Sequence, residues 1–301
     1  MSYGPEHSHA ASLPCRPAHL PGIVFPPHLR IRRLLAGMLL LVPLLSLTAC
    51  VHPDGREMEK ALAAAGGFRS VRLATETFIL HGQLRPGETD ILRVYIEGDG
   101  RAWLSRTRPS ADPTPGNPVA LRLAASDPSL DSVLYLARPC QYVSGGDRRN
   151  CAPRWWTSAR LAPEVIDSIN AAVDQAKART RATRVALFGY SGGGGAAVLA
   201  AARRRDVIFM ATVAGNLHSA AWTRHHGVSP LSASLDPFDC TAAVAGIPQQ
   251  HISGDRDDIV PPVISQGFCA AVGAAAQCRT LPGMTHGGAW ERVWRAPLTL
   301  P

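Results

Sequence analysis

Lysine is almost absent from the sequence, which has only Lys60 and Lys177 in 301 residues, so its formal net charge of +8 comes from arginine. The longest basic run is 203–205, and no aromatic residues alternate with it. The sequence therefore lacks the basic, aromatic-rich surface that is typical of nucleic-acid-binding proteins. It also lacks the Gly-x-Gly-x-x-Gly fingerprint with its downstream acid and the Gly-Lys-Ser/Thr ending of a phosphate-binding loop. We expect no nucleic-acid partner and no nucleotide cofactor.

The sequence also has no apolar run long enough to span a membrane. The longest run follows Arg30, Arg32 and Arg33 and has about 15 residues, whereas a transmembrane helix needs about 20. Basic residues before a short apolar segment are typical of an export signal. The segment ends in LTAC, residues 47–50, which resembles a bacterial lipobox. The resemblance implies cleavage before Cys50 and attachment of lipid to its thiol.

These features divide the chain into three segments. We predict that residues 1–49 form an N-terminal extension and lipoprotein signal peptide, that 50–66 form a polar, lipidated tether, and that 67–301 form one domain. The lipid on Cys50 would make the membrane a partner and hold the protein in the cell envelope, facing the periplasm. Because Val51 rather than aspartate follows the cysteine, the resemblance favours the outer membrane.

Cysteine is sparse in the domain, and its spacing matches no zinc motif. Export makes disulfides possible, because the periplasm is oxidising. Cys140 and Cys151 flank the polar segment QYVSGGDRRN, and closing a loop of this length stabilises a protein by roughly 3 kcal/mol. We predict that these two residues pair. Cys240, Cys269 and Cys278 cannot all pair with one another, so one of them is expected to be a buried thiol.

The remaining sequence alternates short apolar runs with helical patterns. Residues 162–180 repeat apolar side chains at helical spacing, and residues 184–191 form a fully apolar run, as a buried parallel strand requires. Further strand candidates lie in 68–85, 91–100, 132–139, 207–217, 248–255 and 276–284. Strands that alternate with helices indicate an α/β fold with a mostly parallel central sheet flanked by helices.

The segment Gly189-Tyr190-Ser191-Gly192-Gly193 lies between the strand predicted at 184–191 and the alanine-rich residues 194–205, which we predict to form a helix. Its Gly-x-Ser-x-Gly pattern in this context is the signature of a nucleophile elbow, in which the serine has a strained backbone and its flanking glycines leave room for the turn. Ser191 would then face the carboxyl end of the sheet and act as the nucleophile. The alternative is a glycine-rich turn with an uninvolved serine.

A serine nucleophile needs a base and an acid that orients the base. Downstream, HISGDRDDIVPP offers Asp255, Asp257 and Asp258, and LPGMTHGGAW places His286 just beyond the last predicted strand. The order serine, aspartate, histidine is the order found in α/β-hydrolases. A packed core histidine is the alternative interpretation of His286.

With these residues, the chain resembles the α/β-hydrolases of the serine esterase and lipase type over roughly residues 91–290. In that superfamily, a strand-end segment Gly-x-x-Asp-x-x-Val-Pro commonly carries the triad acid. Gly254, Asp257, Val260 and Pro261 match it. The resemblance therefore implies a triad of Ser191, His286 and Asp257, with Asp258 as the next candidate for the acid.

The resemblance also implies an oxyanion hole made by two backbone N–H groups. One belongs to Gly192, and the other belongs to the loop after the third strand, here Glu97-Gly98-Asp99-Gly100. The loop departs from the more familiar His-Gly start, which leaves Asp99 and Gly100 as candidates, and we name Asp99. Glu97 and Asp99 have no nearby histidine, so we expect their side chains to accept backbone hydrogen bonds and hold the turn, rather than to bind metal.

Residues 215–240 lie where many α/β-hydrolases insert a cap, but they are too few for a separate lid domain. Trp222, His225 and His226 would either line an acyl or alcohol pocket or face solvent. The leading function is hydrolysis of a small carboxylic ester, with no metal and no cofactor implied. A serine peptidase or thioesterase on the same fold is one alternative, and a non-catalytic lipoprotein that serves as a binding module is another.

Overall fold

An eight-stranded sheet forms the centre of the protein. The computed structural model describes residues 55–294 and Leu300. The strands are β1 (Arg69–Ala74), β2 (Ile79–Arg85), β3 (Ile91–Ile96), β4 (Ser132–Leu136), β5 (Arg184–Tyr190), β6 (Val207–Val213), β7 (Gln249–Gly254) and β8 (Ala276–Leu281). Their order in the sheet is β1-β2-β4-β3-β5-β6-β7-β8, and every pairing is parallel except those of β2 with β1 and β4.

Helices connect the strands and cover both faces of the sheet. They are α1 (Gly55–Ala65), α2 (Val119–Ala125), α3 (Pro163–Thr180), α4 (Gly192–Ala201), α5 (Ser219–His226), α6 (Thr241–Val244), α7 (Pro262–Val272) and α8 (Trp290–Val293). The sequence therefore folds as the predicted α/β protein with a mostly parallel sheet. None of the helices in the described range is long and apolar enough to cross a membrane.

The central strands are buried on both faces, and successive side chains pack into different cores. Leu92, Val94 and Ile96 of β3 belong to a core that also contains the apolar sides of α3 and α4. Tyr95 and the β5 residue Phe188 stack 4.5 Å apart in the opposite core, beneath α2 and α8. Successive side chains of β3 point to opposite faces of the sheet, so one largely apolar strand contributes to both cores.

The segment predicted as a polar tether has a different structure in its described part. Residues 55–65 form α1, whose Glu59 is buried and accepts hydrogen bonds from Gln83 Nε2 and from the ring of His81 on β2. This part of the predicted tether thus packs against the sheet, where polar side chains of α1 find partners. Cys50, the rest of the predicted tether and the predicted signal peptide lie outside the described residues.

Two disulfides connect neighbouring segments of the described chain. Cys140 and Cys151 are bonded, as their spacing predicted, and a second bond joins Cys269 of α7 to Cys278 of β8. Among the cysteines that the structure describes, Cys240 is the free thiol, and it is half-buried. Two disulfides fit an exported protein.

Candidate active site

Ser191 lies at the sharp turn between β5 and α4, in the left-handed region of backbone space with φ 54° and ψ −123°. The flanking glycines are sterically required. A Cβ on Gly189 would lie 2.4 Å from the carbonyl oxygen of Gly193, and a Cβ on Gly193 would lie 2.3 Å from that of Ile96. Backbone strain of this kind is held in place by its surroundings and is typical of functional sites. The turn is thus constrained, and it presents Ser191 beyond the carboxyl end of β5.

Three predicted residues form a continuous hydrogen-bonded chain at this end of the sheet. His286 Nε2 is 3.0 Å from Ser191 Oγ, and His286 Nδ1 is 2.9 Å from Asp257 Oδ2. The second oxygen of Asp257 accepts the backbone N–H groups of Ile259 and Val260 at 3.0 and 2.8 Å. The Asp257 side chain is fully buried, so these donors and the imidazole stabilise a charge that water does not reach.

The other two acids of the same loop point elsewhere. Asp255 Oδ1 accepts the backbone N–H of Gly283 at 2.6 Å, and Asp258 is exposed. The geometry therefore agrees with the choice of Asp257 that the Gly-x-x-Asp-x-x-Val-Pro match implied.

Aromatic side chains fix the loop that carries His286. Tyr190 Oη and Trp290 Nε1 both donate to the carbonyl oxygen of His286, at 3.0 and 2.7 Å. The Tyr190 ring also packs 5.3 Å from the imidazole. Residues of β5 and α8 thus set the position of the His286 ring, which lies on an otherwise irregular loop.

The two residues predicted for the oxyanion hole are in direct contact. Gly192 is the first residue of α4, and a Cβ placed on it would lie 2.2 Å from Asp99 Oδ1. Asp99 and Gly100 both line the cavity at Ser191. The N-terminus of α4 directs its backbone N–H groups and the positive end of its dipole towards this place, which suits a developing negative charge.

The side chains of Glu97 and Asp99 have different roles. Glu97 Oε1 accepts hydrogen bonds from the backbone N–H groups of Gly98 at 2.9 Å and Ala120 at 3.5 Å. These contacts agree with the prediction that the Glu97 side chain holds the turn. Complete burial raises the pKa of Glu97 to about 7, and these hydrogen bonds oppose that rise. The expectation for Asp99 was wrong, because its carboxylate contacts two arginines instead.

Arg138 and Arg160 are these partners, and sequence reasoning missed them. Arg160 Nη1 is 2.9 Å from Asp99 Oδ2, and Arg138 Nη1 is 3.4 Å from Oδ1. Arg138 also donates to the carbonyl oxygen of Arg160, while Gln141 Nε2 donates to the carbonyl oxygen of Gly98 at 3.0 Å. Nothing in their spacing signals this, since the arginines lie in separate loops that meet only in the folded protein.

A cavity of about 500 Å³ opens in front of Ser191. Its wall includes His286, Asn216, Trp222, Arg160 and part of the loop after β3. Trp222 lies on α5, in the predicted cap segment, and thus lines the pocket. His225 and His226 of the same helix are not among the lining residues; the ring of His226 contacts the carbonyl oxygen of Ile259 at 2.9 Å.

Comparison with known proteins gives one family and a set of solved structures. The family model for secretory lipases matches residues 138–206, a segment that includes Ser191. No curated protein sequence matches the chain.

Three solved structures illustrate the similarity. An acylaminoacyl peptidase from Pyrococcus horikoshii is 12% identical with a TM-score of 0.54, over 73% of this chain and 37% of its own length. An alpha-beta serine hydrolase homologue from Coxiella burnetii is 14% identical with a TM-score of 0.51, over 72% of this chain and 88% of its own. Est1E from Butyrivibrio proteoclasticus is 16% identical with a TM-score of 0.52, over 74% of this chain and 93% of its own length. At such identities the likeness concerns the fold.

Proposed function

We propose that this chain, which has the α/β-hydrolase fold, is a serine hydrolase that cleaves carboxylic esters through an acyl-enzyme. The observation that carries the proposal is the hydrogen-bonded chain from Ser191 through His286 to Asp257, at the floor of an open cavity. The secretory lipase match over residues 138–206 supports hydrolase chemistry in the segment that contains the serine.

The reaction follows from the atoms in contact. As Ser191 Oγ attacks the ester carbonyl carbon, its proton passes to His286 Nε2, and Asp257 stabilises the imidazolium through Nδ1. The N–H groups of Gly192 and Asp99 receive the oxyanion of the tetrahedral intermediate. When the intermediate collapses, the ester C–O bond breaks and His286 returns the proton to the leaving alkoxide. Water then attacks the acyl-serine with His286 again as the base, and the acid and free Ser191 are released.

Substitution of the nucleophile tests this function. Ser191→Ala removes the attacking oxygen, so turnover of a p-nitrophenyl ester should fall by at least about 10³-fold, while the thermal unfolding midpoint stays within a few degrees of wild type. Labelling by a fluorophosphonate probe should be lost in the same variant. Ser70→Ala, at an exposed position on β1, is the matched control and should retain both.

A panel of substrates distinguishes an esterase from a thioesterase or a peptidase on the same fold. Turnover of matched esters, thioesters and aminoacyl amides should be highest for the esters. Undiminished hydrolysis by Ser191→Ala would contradict the nucleophile assignment. A clear preference for thioesters or amides would contradict the ester assignment.

We also propose that the protein is exported and anchored by lipid on Cys50, with the outer membrane as its location. The basic and apolar residues before LTAC support this, and the two disulfides fit an oxidising compartment.

A further inference from the structure

Arg160 is a buried cation in the wall of the cavity that contains Ser191. Its side chain is 8% exposed, and its guanidinium lies over the ring of Trp222, 4.8 Å from the ring centre. A guanidinium held in this way is already ordered before any ligand arrives. Binding to it therefore loses little side-chain entropy.

The hydrogen bonds of Arg160 are incomplete. Nη1 contacts Asp99, but Nη2 is buried and has no hydrogen-bond partner in the described part of the chain. An unsatisfied donor of a charged group is costly, so the lack of a partner for Nη2 calls for an explanation. Since Nη2 is screened from solvent, an anion reaches it only with a small side-chain shift at the cavity wall.

The charges around Arg160 do not balance. Asp99 is shared between Arg160 and Arg138, so this buried cluster carries one positive charge in excess. Glu97, the other acid of the cavity wall, has its pKa raised to about 7 by burial and is only partly ionised near neutral pH. Arg101 adds a further, exposed positive charge to the wall. The wall of the cavity thus carries net positive charge, which suits an anionic ligand.

The cluster is also close to the reacting atoms. The carboxylate of Asp99 touches Gly192 on one side and Arg160 on the other, so only one carboxyl group separates the guanidinium from the predicted oxyanion hole. We propose that Arg160 is a specificity-determining residue that binds a carboxylate on the substrate, a few bonds from the scissile ester. The inference rests on the proposed function and narrows its substrate class to esters that carry a carboxylate.

Two matched ester pairs test the charge preference and locate the charge. Mono-p-nitrophenyl adipate and its methyl ester differ in charge on the acyl side. The anion 4-acetoxybenzoate and methyl 4-acetoxybenzoate differ on the alcohol side. In wild-type protein, kcat/KM should be higher for the anionic member of at least one pair. A higher value for the neutral member in both pairs would overturn the inference.

Variants of Arg160 then test whether this residue causes the preference for the anionic ester. In Arg160→Gln the ratio of kcat/KM for the anionic to the neutral ester should fall about 10- to 100-fold, mainly through KM of the anionic ester. Arg160→Lys should lie between Arg160→Gln and wild type, because it keeps the charge without the planar fork. Arg205→Gln removes an exposed positive charge outside the cavity and should leave the ratio unchanged.

A variant that is expected to increase the preference for the anionic ester distinguishes charge recognition from a purely structural effect. Asp99→Asn removes the carboxylate that competes for both arginines, so the preference for the anionic ester should increase. If Arg160→Gln fails to fold, the ratio of kcat/KM for the anionic to the neutral ester in Arg160→Lys and Asp99→Asn tests the inference instead. An equal loss for both esters in the Arg160 variants, or an unchanged ratio, would overturn the inference. Turnover of the neutral esters, absent in Ser191→Ala, would still support the proposed hydrolase.

Discussion

Glu97 is a fully buried acid in the wall of the cavity, and its protonation affects the stability of the fold. Burial raises its pKa from 4.5 to about 7. Between these pH values the folded state binds more protons than the unfolded state, so the free energy of unfolding falls as the pH rises. The stabilisation is complete below about pH 4.5 and is lost as the pH passes 7. Its size is roughly 3 kcal/mol.

Replacing the acid by its neutral isostere should remove this dependence. In Glu97→Gln, the loss of unfolding free energy between pH 5 and pH 8 should be smaller than in wild type by up to roughly 3 kcal/mol. Urea unfolding at the two pH values, with both disulfides intact, measures it. Glu88→Gln, at an exposed position, should behave like wild type. An identical pH dependence in Glu97→Gln and wild type would show that another group is responsible.

Single residues differ in how far sequence predicts them. Ser191, Asp257 and His286 are predictable because each lies in a short local pattern and their order along the chain is informative. Arg138 and Arg160 are not, because an ion pair with Asp99 depends on a meeting of three loops. The half-buried environment of Cys240 likewise follows from packing that no spacing rule describes.

Among the elements, the turn from β5 into α4 has little room for change. A Cβ on Gly193 would lie 2.3 and 2.4 Å from the carbonyl oxygens of Ile96 and Glu97, which are backbone atoms of the central sheet edge and the adjoining loop. Backbone atoms cannot rotate away as a flexible side chain can. Contact at these distances therefore forces the helix and the strand apart.

Two glycine substitutions of opposite expected sign test this. Gly193→Ala should lower the free energy of unfolding by about 1–3 kcal/mol and reduce ester turnover, since it displaces the loop that contains Asp99. Gly267→Ala, inside α7 where a Cβ meets open space, should raise it by about 0.4–1 kcal/mol. Denaturant unfolding of the two variants beside wild type gives both values. Equal stability of Gly193→Ala and wild type would contradict the expected steric clash.

Strands are predicted better than helices in this chain. All eight strands lie within the predicted strand segments, and the central ones are largely apolar because a strand buried in a parallel sheet needs no polar alternation. Only α3 and α4 were predicted as helices, and α1 and α2 are examples of helices that escaped prediction for tertiary reasons. The former is polar but places Glu59 against His81 and Gln83 of the sheet, and the latter is a short buried helix after a proline-rich loop.

At the level of the whole molecule, the proposed lipid on Cys50 would attach the protein to a membrane. In a bacterial host supplied with an alkyne-bearing fatty acid, the wild-type protein should be labelled and should sediment with membranes. Cys50→Ala removes the acceptor thiol, so both labelling and membrane association should be lost. Cys15→Ala, within the predicted signal segment, is the control and should remain labelled. Labelling that persists in Cys50→Ala would contradict the anchor.

The burial of α4 has a practical consequence for attempts to alter the proposed substrate range. Every residue from Gly192 to Ala201 is buried, so random changes in this helix would mostly give insoluble protein rather than new activity. The segment 215–240 contains many partly or fully exposed side chains and contributes Trp222 to the cavity wall. A directed-evolution library is therefore best concentrated there, where diversity can accumulate while the catalytic end of the sheet stays intact.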